Sequence, residues 1–411
     1  MTTLFRAYVF LRFGDVYRPI GLLASGDSGF FFRYGKRWLA APEGFSIDPA
    51  TLPLREEEFY SKNLFSVFRD ACPDKWGRKL LAVMRGGKGG EMTDFEALTA
   101  IHSPDRFGAL SFGQTPESPN SMAAWARAAA SPSPAFEPME FYRQMQEVDR
   151  GVIPNDDVFL KTFNSSFSIG GARPKAVVAH HGKYWIAKFS KADDEWDEPL
   201  IEYGTMLFAK KCGINVPELD LLKTPRGNIF LARRFDRESE RAGHLISYFT
   251  LGCLKEDGYW GSYHHVAECL RRYGRPAGEE VFRRMVFNAL AYNIDDHPRN
   301  HAFFVGNAGI SIAPAYDLVP AFRLYTSVEL ALACGRNGRE ASVENLLSDV
   351  APFGMTRHKA EHILTDIQRI FSDWEEHFLK IGVTGHDMEH LKKRFCRNLV
   401  EEEENDNAPA P

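Results

Sequence analysis

The N-terminal part of the chain alternates short apolar segments with polar breaks, which is the pattern of β-strands. The stretches AYVFLRF, SGFFFRYG and RWLA within residues 4–40 are rich in aromatic and β-branched residues, and Gly, Asp or Pro separates them. They predict a small antiparallel sheet. Apolar positions at helical spacing follow in FYSKNLFSVFRDACPDKWGRKLLAVM, residues 59–84. Residues 113–138 are rich in Ser, Pro and Ala, which indicates a linker.

After this stretch the apolar pattern changes to hairpins that alternate with helices. Strand–turn–strand patterns are found in residues 171–191, 219–235 and 301–313. Apolar residues at helical spacing are found in residues 198–214 and 277–294, and again in several segments up to about residue 398. The order is therefore strands, one helix, strands, and then a mostly helical half with a hairpin near its start.

Composition and charge exclude several classes of protein. The chain has 411 residues and a net charge of −5, so no overall basic field indicates wholesale binding of nucleic acid. Its start lacks the pattern of a signal peptide, and no apolar run is long enough to span a bilayer. Six scattered cysteines without a C-x-x-C pair favour free thiols in a reducing cytoplasm. The pairs His180–His181 and His264–His265 have no spaced ligand partners, so neither predicts a metal site.

The strongest chemical signal is NIDDHPRNH, residues 293–301, which follows a long amphipathic helix. Asp295 and Asn300 have the D-x-x-x-x-N spacing of a kinase catalytic loop, in which the aspartate accepts a hydroxyl proton and the asparagine holds Mg²⁺. The hairpin that follows returns the chain to Asp317, where a second carboxylate ligand would stand. A solvated helix cap is the alternative interpretation of the cluster.

Two weaker signals precede this loop. Gly170 and Gly171 would let backbone N–H groups approach phosphate oxygens, and Lys175 could add charge there, although Gly-Gly turns are common. Lys188 lies near the end of an apolar strand, where a buried ammonium needs a partner such as Glu202 on the next helix. A lysine that extends to solvent from the strand end is the alternative.

Together these stretches resemble the HipA family of bacterial serine/threonine kinases, which are toxins of type II toxin–antitoxin modules. The similar motifs are SIGGARPKA, ARRFDR, IDDHPRNHAFF and PAYDLVPAF, with FRDACPDKWGR and FGALSF in the N-terminal part. The resemblance extends to about residue 398. The loop departs from ordinary protein kinases, because neither D-F-G nor H-R-D is present. Arg233 stands at the hinge where some members have an acid. Asp296 is an extra acid that could be an outer ligand or a cap, and we favour the cap.

The resemblance implies an α+β fold. A small N-terminal mainly-β domain would be followed by a two-lobed protein-kinase-like domain with a largely helical C-terminal lobe. The implied parts are an N-terminal domain in 1–140 that ends in the linker, an ATP-binding lobe in 141–236, a helical catalytic lobe in 237–400 and a disordered acidic tail in 401–411.

It also implies ATP and Mg²⁺ as cofactors and a role for each motif residue. Asp295 would be the catalytic base, Asn300 and Asp317 the magnesium ligands, and Glu202 the support of Lys188. ATP would be bound by Gly170, Gly171, Ala172, Arg173, Lys175, Lys188, Arg233, Phe235, His297, Arg299 and Tyr316. Ser168 would be autophosphorylated, with Ser165 and Ser166 as neighbouring candidates.

The function that follows from the resemblance is transfer of the ATP γ-phosphate to Ser or Thr of a cytoplasmic bacterial protein, such as an aminoacyl-tRNA synthetase. Growth arrest and persistence would result, and autophosphorylation would switch the kinase off. A small helix-turn-helix antitoxin of HipB type would be the partner, with DNA bound only through that antitoxin and no membrane. The alternatives are a small-molecule or lipid kinase with the same loop, or a catalytically silent co-repressor partner of an antitoxin.

Overall fold

A computed structural model of the chain describes most residues between Phe5 and Phe395. The described ranges are 5–73, 77–78, 81–82, 92–100, 106–119, 139–140, 142–143, 147, 173, 175–191, 193–237, 243–256, 258, 260–325 and 327–395. Most of the predicted linker, residues 120–138, lies outside these ranges, and so does the predicted acidic tail, residues 401–411.

The first part of the chain forms a five-stranded antiparallel sheet. Its strands are β1 (Phe5–Phe13), β2 (Val16–Gly26), β3 (Gly29–Tyr34), β4 (Glu58–Ser61) and β5 (Leu110–Gly113). Their order is β4-β3-β2-β1-β5. Alternate residues Ala7, Val9 and Leu11 of β1 are fully buried, because successive side chains of a strand point to opposite faces. The antiparallel sheet predicted within residues 4–40 is confirmed.

Two local predictions in this part were wrong. The segment RWLA, predicted as a strand, lies in a short helix, α1 (Lys36–Leu39), where Trp38 is buried and its indole N–H donates to the Phe45 carbonyl at 3.1 Å. Helical spacing was predicted from residue 59, but β4 occupies the first of these positions, because it pairs with β3 along the sheet edge. The helices that follow are α2 (Ser66–Asp70) and α3 (Asp94–Ala100).

The second sheet has four antiparallel strands and one helix packed on it. The strands are β6 (Lys175–His180), β7 (Lys183–Phe189), β8 (Leu219–Thr224) and β9 (Gly227–Arg233). Their order is β6-β7-β9-β8, so each predicted hairpin is present. Helix α4 (Glu198–Lys211) begins at Asp197, whose carboxylate accepts a hydrogen bond from the Leu200 N–H.

The remaining chain is largely helical and contains a small third sheet. The strands β10 (Leu245–Ser247), β11 (Ala302–Gly306) and β12 (Gly309–Ile312) are antiparallel and adjacent in that order. The helices are α5 (Tyr248–Leu251), α6 (Tyr263–Tyr273), α7 (Gly278–Leu290), α8 (Val343–Leu347), α9 (Arg357–Phe371), α10 (Trp374–Ile381) and α11 (His386–Phe395). None of the described helices is long and apolar enough to cross a membrane.

Buried polar contacts join the first sheet region, which comprises the described residues between 5 and 119, to the rest of the chain. The Asp70 carboxylate at the end of α2 accepts hydrogen bonds from the Ser247 N–H at 2.7 Å and from the hydroxyls of Ser247 and Thr250 at 2.8 Å. The Asp236 carboxylate accepts a hydrogen bond from the Gly108 N–H at 2.8 Å. Because Ser247 is the last residue of β10 and the N-cap of α5, these contacts connect the two regions at the third sheet.

His244 belongs to the same junction and should make the stability of the fold depend on pH. Its Nε2 bonds to the Ile47 carbonyl at 2.8 Å, while its buried Nδ1 has no partner among the described residues. Burial lowers the pKa of His244 to about 4, although the bond to Ile47 opposes this effect. Below about pH 6.5 the imidazole is therefore protonated in the unfolded chain but stays neutral in the folded chain. The stability that is present above that pH is lost as the pH falls toward about 4.

We expect His244 to lower the free energy of unfolding by about 2 kcal/mol between about pH 7 and about pH 5. Urea unfolding at both pH values measures this loss in the wild-type chain. In His244→Phe the loss should be smaller by that amount, because the substituted ring cannot titrate. If the free energy of unfolding depends equally on pH in the two proteins, His244 does not cause the loss of stability.

Candidate active site

A cavity of about 730 Å³ lies where the three sheet regions meet. The second sheet contributes apolar residues to its wall, namely Ile186, Phe230 and Ala232, and these are joined by Met206 and Pro217. The charged and polar residues of the second sheet and of the chain that follows it are Lys175, Lys188, Glu202, Arg233, Ser247, Glu256, His297, Arg299, Asn300, Tyr316 and Asp317. The cavity thus has an apolar part and a strongly charged part, as small-molecule sites do.

Lys188 is the centre of the charged part. Its ammonium contacts the Glu202 carboxylate at 2.5 Å and the Asp317 carboxylate at 2.5 Å, so the partner predicted on the next helix is present. Burial lowers the pKa of Lys188, but the two carboxylates raise it by more, and the ammonium stays charged. Burial raises the pKa of Glu202 to about 7 against the opposing effect of Lys188. The lysine is therefore held in place by two acids rather than extended into solvent.

Lys175 lies beside Lys188 on the neighbouring strand. The two residues are directly paired in the register of β6 and β7, and both line the cavity. Burial raises the pKa of Asp317, but the charges of Lys188 and Lys175 lower it by more, so the carboxyl stays ionised with a pKa well below its usual value. Two cations thus face the cavity next to one firmly ionised acid.

Asp317 is presented by the hairpin of the third sheet. The chain leaves β12 at Ile312 and reaches Asp317 five residues later with a φ of 60°, in the left-handed region that non-glycine residues seldom occupy. Such backbone is found mainly where surrounding contacts hold it, often at functional sites. The ion pair with Lys188 supplies one of these contacts.

The loop after α7 is anchored by Asp296, for which the sequence favoured a capping role. That prediction was wrong. The side chain is buried, and its carboxylate accepts hydrogen bonds from the Tyr263 hydroxyl at 2.6 Å and the Asn288 amide at 2.6 Å, and contacts His301 Nε2 at 2.8 Å. Because these partners come from α6, from α7 and from the residue just before β11, Asp296 fixes the loop to the helical core.

The buried contacts of Asp296 hold its neighbours Asp295, His297 and Asn300 at or beside the cavity. Asp295 is exposed, and its pKa is raised by partial burial and by the charges of Asp317 and Asp296, with His297 opposing. The Asn300 amide N–H donates to the Asp295 carbonyl at 3.3 Å. Asn300 and His297 line the cavity, whereas Asp295 is not part of its described lining but interacts electrostatically with Asp317.

Arg299 of the same loop lines the cavity and contacts Phe249 and Glu256. Its guanidinium lies 4.0 Å from the centre of the Phe249 ring and pairs with Glu256 at 2.7 Å. The Tyr316 hydroxyl donates to the Arg299 carbonyl at 2.7 Å, which connects the loop to the residue before Asp317.

The first sheet region forms part of the cavity wall, which sequence reasoning missed. It contributes Arg69, Asp70, Cys72, Pro73, Arg78, Asp94 and Phe107. Asp94 pairs with Arg78 at 2.5 Å and with Arg69 at 3.5 Å, and Arg69 reaches Glu256 at 3.4 Å. Since Glu256 also pairs with Arg299, a chain of ion pairs runs from α3 to the loop after α7. The stretch FRDACPDKWGR carried the signal, but only as a family resemblance without assigned roles.

Of the other predicted ATP-binding residues, some line the cavity, one does not, and several lie outside the described ranges. Arg233 and Phe235 line the cavity, and the ring of Phe235 contacts those of Phe107, Phe304 and Tyr316. Arg173 does not belong to the described lining, and its guanidinium pairs with Asp194 at 2.8 Å and Glu198 at 3.3 Å. Six predicted residues lie outside the described ranges and are Ser165, Ser166, Ser168, Gly170, Gly171 and Ala172.

Comparison with known families places these features in context. A family model described as the HipA-like C-terminal domain matches residues 167–374, and one described as the HipA N-terminal domain matches residues 16–113. The first of these alone covers half of the chain. The chain belongs to the HipA family. All the described cavity-lining residues lie within these two matched ranges, so both parts of the HipA-family chain contribute to the site.

Individual relatives are more distant. A curated protein named "Serine/threonine-protein kinase toxin HipA", from Shewanella oneidensis, is 25% identical over 202 residues, which are 40% of this chain and 46% of that protein. A Haemophilus influenzae relative is 28% identical over 152 residues, 32% of this chain and 44% of that protein. The matched segments thus span less than half the length of these curated relatives.

A solved structure extends the likeness to nearly the whole chain. It is the complex of Shewanella oneidensis MR-1 HipA with HipB and operator DNA, and its similarity has a TM-score of 0.66 at 20% identity. The superposition covers 94% of this chain and 95% of that chain. This HipA-family protein therefore has the mixed α/β fold of HipA, with antiparallel sheets and helices.

Proposed function

We propose that this HipA-family protein is a phosphotransferase that uses ATP and Mg²⁺ to phosphorylate Ser or Thr of a protein. The observation that carries the proposal is the convergence of Lys188, Glu202, Asp317 and Asn300 on one cavity. Phosphoryl transfer needs positioned cations and metal ligands around the phosphates more than it needs covalent chemistry. The charged part of the cavity supplies that set.

The two parts of the cavity suit the two parts of a nucleotide. The apolar wall of Ile186, Phe230 and Ala232 would cover the faces of an adenine ring, with the backbone of residues 233–235 as its hydrogen-bonding edge. Lys188 and Lys175 would neutralise phosphate oxygens. In this proposal the second sheet with α4 is the smaller lobe of a two-lobed kinase-like domain, the helical remainder is the larger lobe, and the mainly-β N-terminal domain precedes both.

Asn300 and Asp317 are the residues that would hold Mg²⁺. Carboxylate and amide oxygens are the hard ligands that this ion prefers, both residues line the same cavity, and the lowered pKa of Asp317 keeps its carboxylate ionised. When bound, the ion would offset negative charge on the phosphates. Glu202 would keep Lys188 in position, because the buried acid contacts the ammonium directly.

Asp295 would accept the proton of the attacking hydroxyl. It is exposed beside the cavity residues, so an acceptor side chain can reach it, and its raised pKa makes it a stronger base than an ordinary aspartate. Asp296 would act indirectly, since its buried contacts hold the loop that carries Asp295.

Further parts of the proposal rest on relatives. The Shewanella protein is named a serine/threonine kinase toxin, and its solved structure contains HipB and operator DNA. We extend this to a cytoplasmic toxin with a HipB-type antitoxin, which reaches DNA through that antitoxin. The acceptor would be a protein such as an aminoacyl-tRNA synthetase, and autophosphorylation near Ser168 would limit activity and permit persistence.

Replacement of Asp295 by Asn tests the proposed base. With γ-phosphate-labelled ATP and Mg²⁺, we expect Asp295→Asn to lower the rate of phosphotransfer at least about a hundredfold, because the amide cannot accept the proton. The nucleotide-induced rise in Tm should remain. The control is Asp366→Asn, since Asp366 is exposed on α9 and pairs only loosely with Arg369 at 3.4 Å. Full activity of Asp295→Asn would remove it as the base.

The site of the label and the class of acceptor test the rest of the proposal. We expect mass spectrometry to find phosphate in residues 165–168 of the incubated wild-type protein, and Ser168→Ala to lose most of it while Ser166→Ala keeps it. Transfer to a sugar or an inositol lipid but never to protein would support the small-molecule or lipid kinase instead. Nucleotide binding without any transfer would support a silent co-repressor.

A further inference from the structure

A cluster of three metal-binding side chains lies on the second sheet, outside the cavity. His180 ends β6, His181 begins the turn to β7, and Asp220 lies on β8. One ligand atom of each residue lies within 4.8 Å of the others, and His180 Nε2 is 3.0 Å from Asp220 Oδ2. The sequence did not predict this cluster, because its third member comes from a strand 40 residues away.

The turn explains how two adjacent histidines can face one ion. Neighbouring residues of an extended strand point to opposite faces, so a His-His pair there would diverge. His181 instead has a φ of 49°, in the left-handed region, and the two ring centres lie 3.9 Å apart. Trp185 holds the inner ring in place, because its indole N–H donates to the His180 carbonyl at 2.9 Å and its ring packs against His180.

Two basic side chains of this sheet pair with a different acid, Glu218. Lys183 and Arg233 both pair with Glu218, at 3.4 Å and 2.7 Å. Asp220 instead directs one carboxylate oxygen to His180 and accepts the Leu221 N–H with the other at 2.8 Å. Its negative charge is therefore available to a cation that the two imidazoles would also bind.

We propose that His180, His181 and Asp220 bind a divalent transition-metal ion, with Zn²⁺ as the ion that fits best. Two imidazole nitrogens and one carboxylate oxygen form a mixed set that suits Zn²⁺ and its substitute Co²⁺ better than Mg²⁺. Three protein ligands leave a fourth tetrahedral position for water. His181 is exposed and can close the remaining distance by a side-chain rotation.

The ion would connect the β6–β7 turn to β8 and so close one end of the second sheet. The sheet order is β6-β7-β9-β8, so the ligands come from its two edge strands and the turn beside them. None of the three residues lines the cavity, and the proposal does not depend on phosphotransfer. Because the ligands are assembled only in the folded chain, bound metal should raise the Tm.

Titration of the metal-free, full-length protein with Co²⁺ tests the site. We expect about one equivalent to bind with the intense visible absorption of a tetrahedral complex, and Zn²⁺ to displace it and to raise the Tm. His181→Asn and Asp220→Asn should each weaken binding at least about tenfold and remove the Zn²⁺-dependent rise. Asn tolerates the left-handed backbone, so His181→Asn should preserve the turn.

His362→Asn is the matched control, because the chain has a second histidine pair on its surface. His358 and His362 are exposed on α9 with their Nε2 atoms 3.2 Å apart, and could chelate an ion by themselves. In the control, Co²⁺ absorption and the Zn²⁺-dependent Tm should equal those of the wild type. Absence of binding to the wild type, binding that survives in His181→Asn and Asp220→Asn, or binding that disappears in His362→Asn would each overturn the proposal.

Discussion

Replacement of Lys188 by Met should lower kcat/KM for ATP-dependent phosphotransfer at least about a hundredfold, equivalent to about 2.7 kcal/mol of transition-state stabilisation. The ammonium contacts both Glu202 and Asp317 at 2.5 Å, so its loss removes the charge that we propose binds phosphate and also the partner of two acids. Loss of that charge should raise the pKa of Glu202 above its present value near 7. Labelled-ATP kinetics and nucleotide titration measure the effect.

Lys183→Met is the matched control for this prediction. Lys183 lies on the same strand, but it is exposed and pairs with Glu218 at 3.4 Å, away from the cavity lining. We expect its activity to stay within about twofold of the wild type, since exposed ion pairs contribute little. Circular dichroism should show both variants folded. Wild-type kinetics in folded Lys188→Met would contradict the assignment of this cavity as the ATP site.

Replacement of Asp236 by Asn should strongly destabilise the fold, lowering the free energy of unfolding by about 3 to 5 kcal/mol. The carboxylate is buried and accepts hydrogen bonds from Arg234 at 2.8 Å, Arg237 at 2.7 Å and the Gly108 N–H at 2.8 Å. Burial raises its pKa, but the two guanidinium groups lower it by more, to about 2. An amide would leave two buried cations without their counter-charge.

Asp366→Asn serves as the comparison, because that acid is exposed and lies 3.4 Å from Arg369 on the same helix. Its effect on stability should stay within about 0.5 kcal/mol. Urea unfolding of the three proteins at neutral pH measures the differences. A similar small loss in both variants would mean that Asp236 does not hold the first sheet region to the rest of the chain.

Local patterns predicted the elements that carry the site. The hairpins at residues 171–191 and 219–235 and the helix at 198–214 followed from apolar spacing and turn residues, and the structure contains them. The pairing of Lys188 with Glu202 also followed, since a strand and the helix after it pack together. The predictions for RWLA and for the start of the helical stretch at residue 59 were wrong, because Trp38 burial and pairing with β3 outweighed local preference.

The sequence by itself determined which chemical groups are available and in what order, from Lys188 to Asp295, Asn300 and Asp317. Only the tertiary structure decided which groups meet. It brought Arg69 and Asp70 into the cavity wall, buried Asp296 among three partners, and placed Asp220 beside His180. The physical reason is that spacing along a strand or helix follows from backbone geometry, whereas contacts between distant segments follow from the packing of whole sheets and helices.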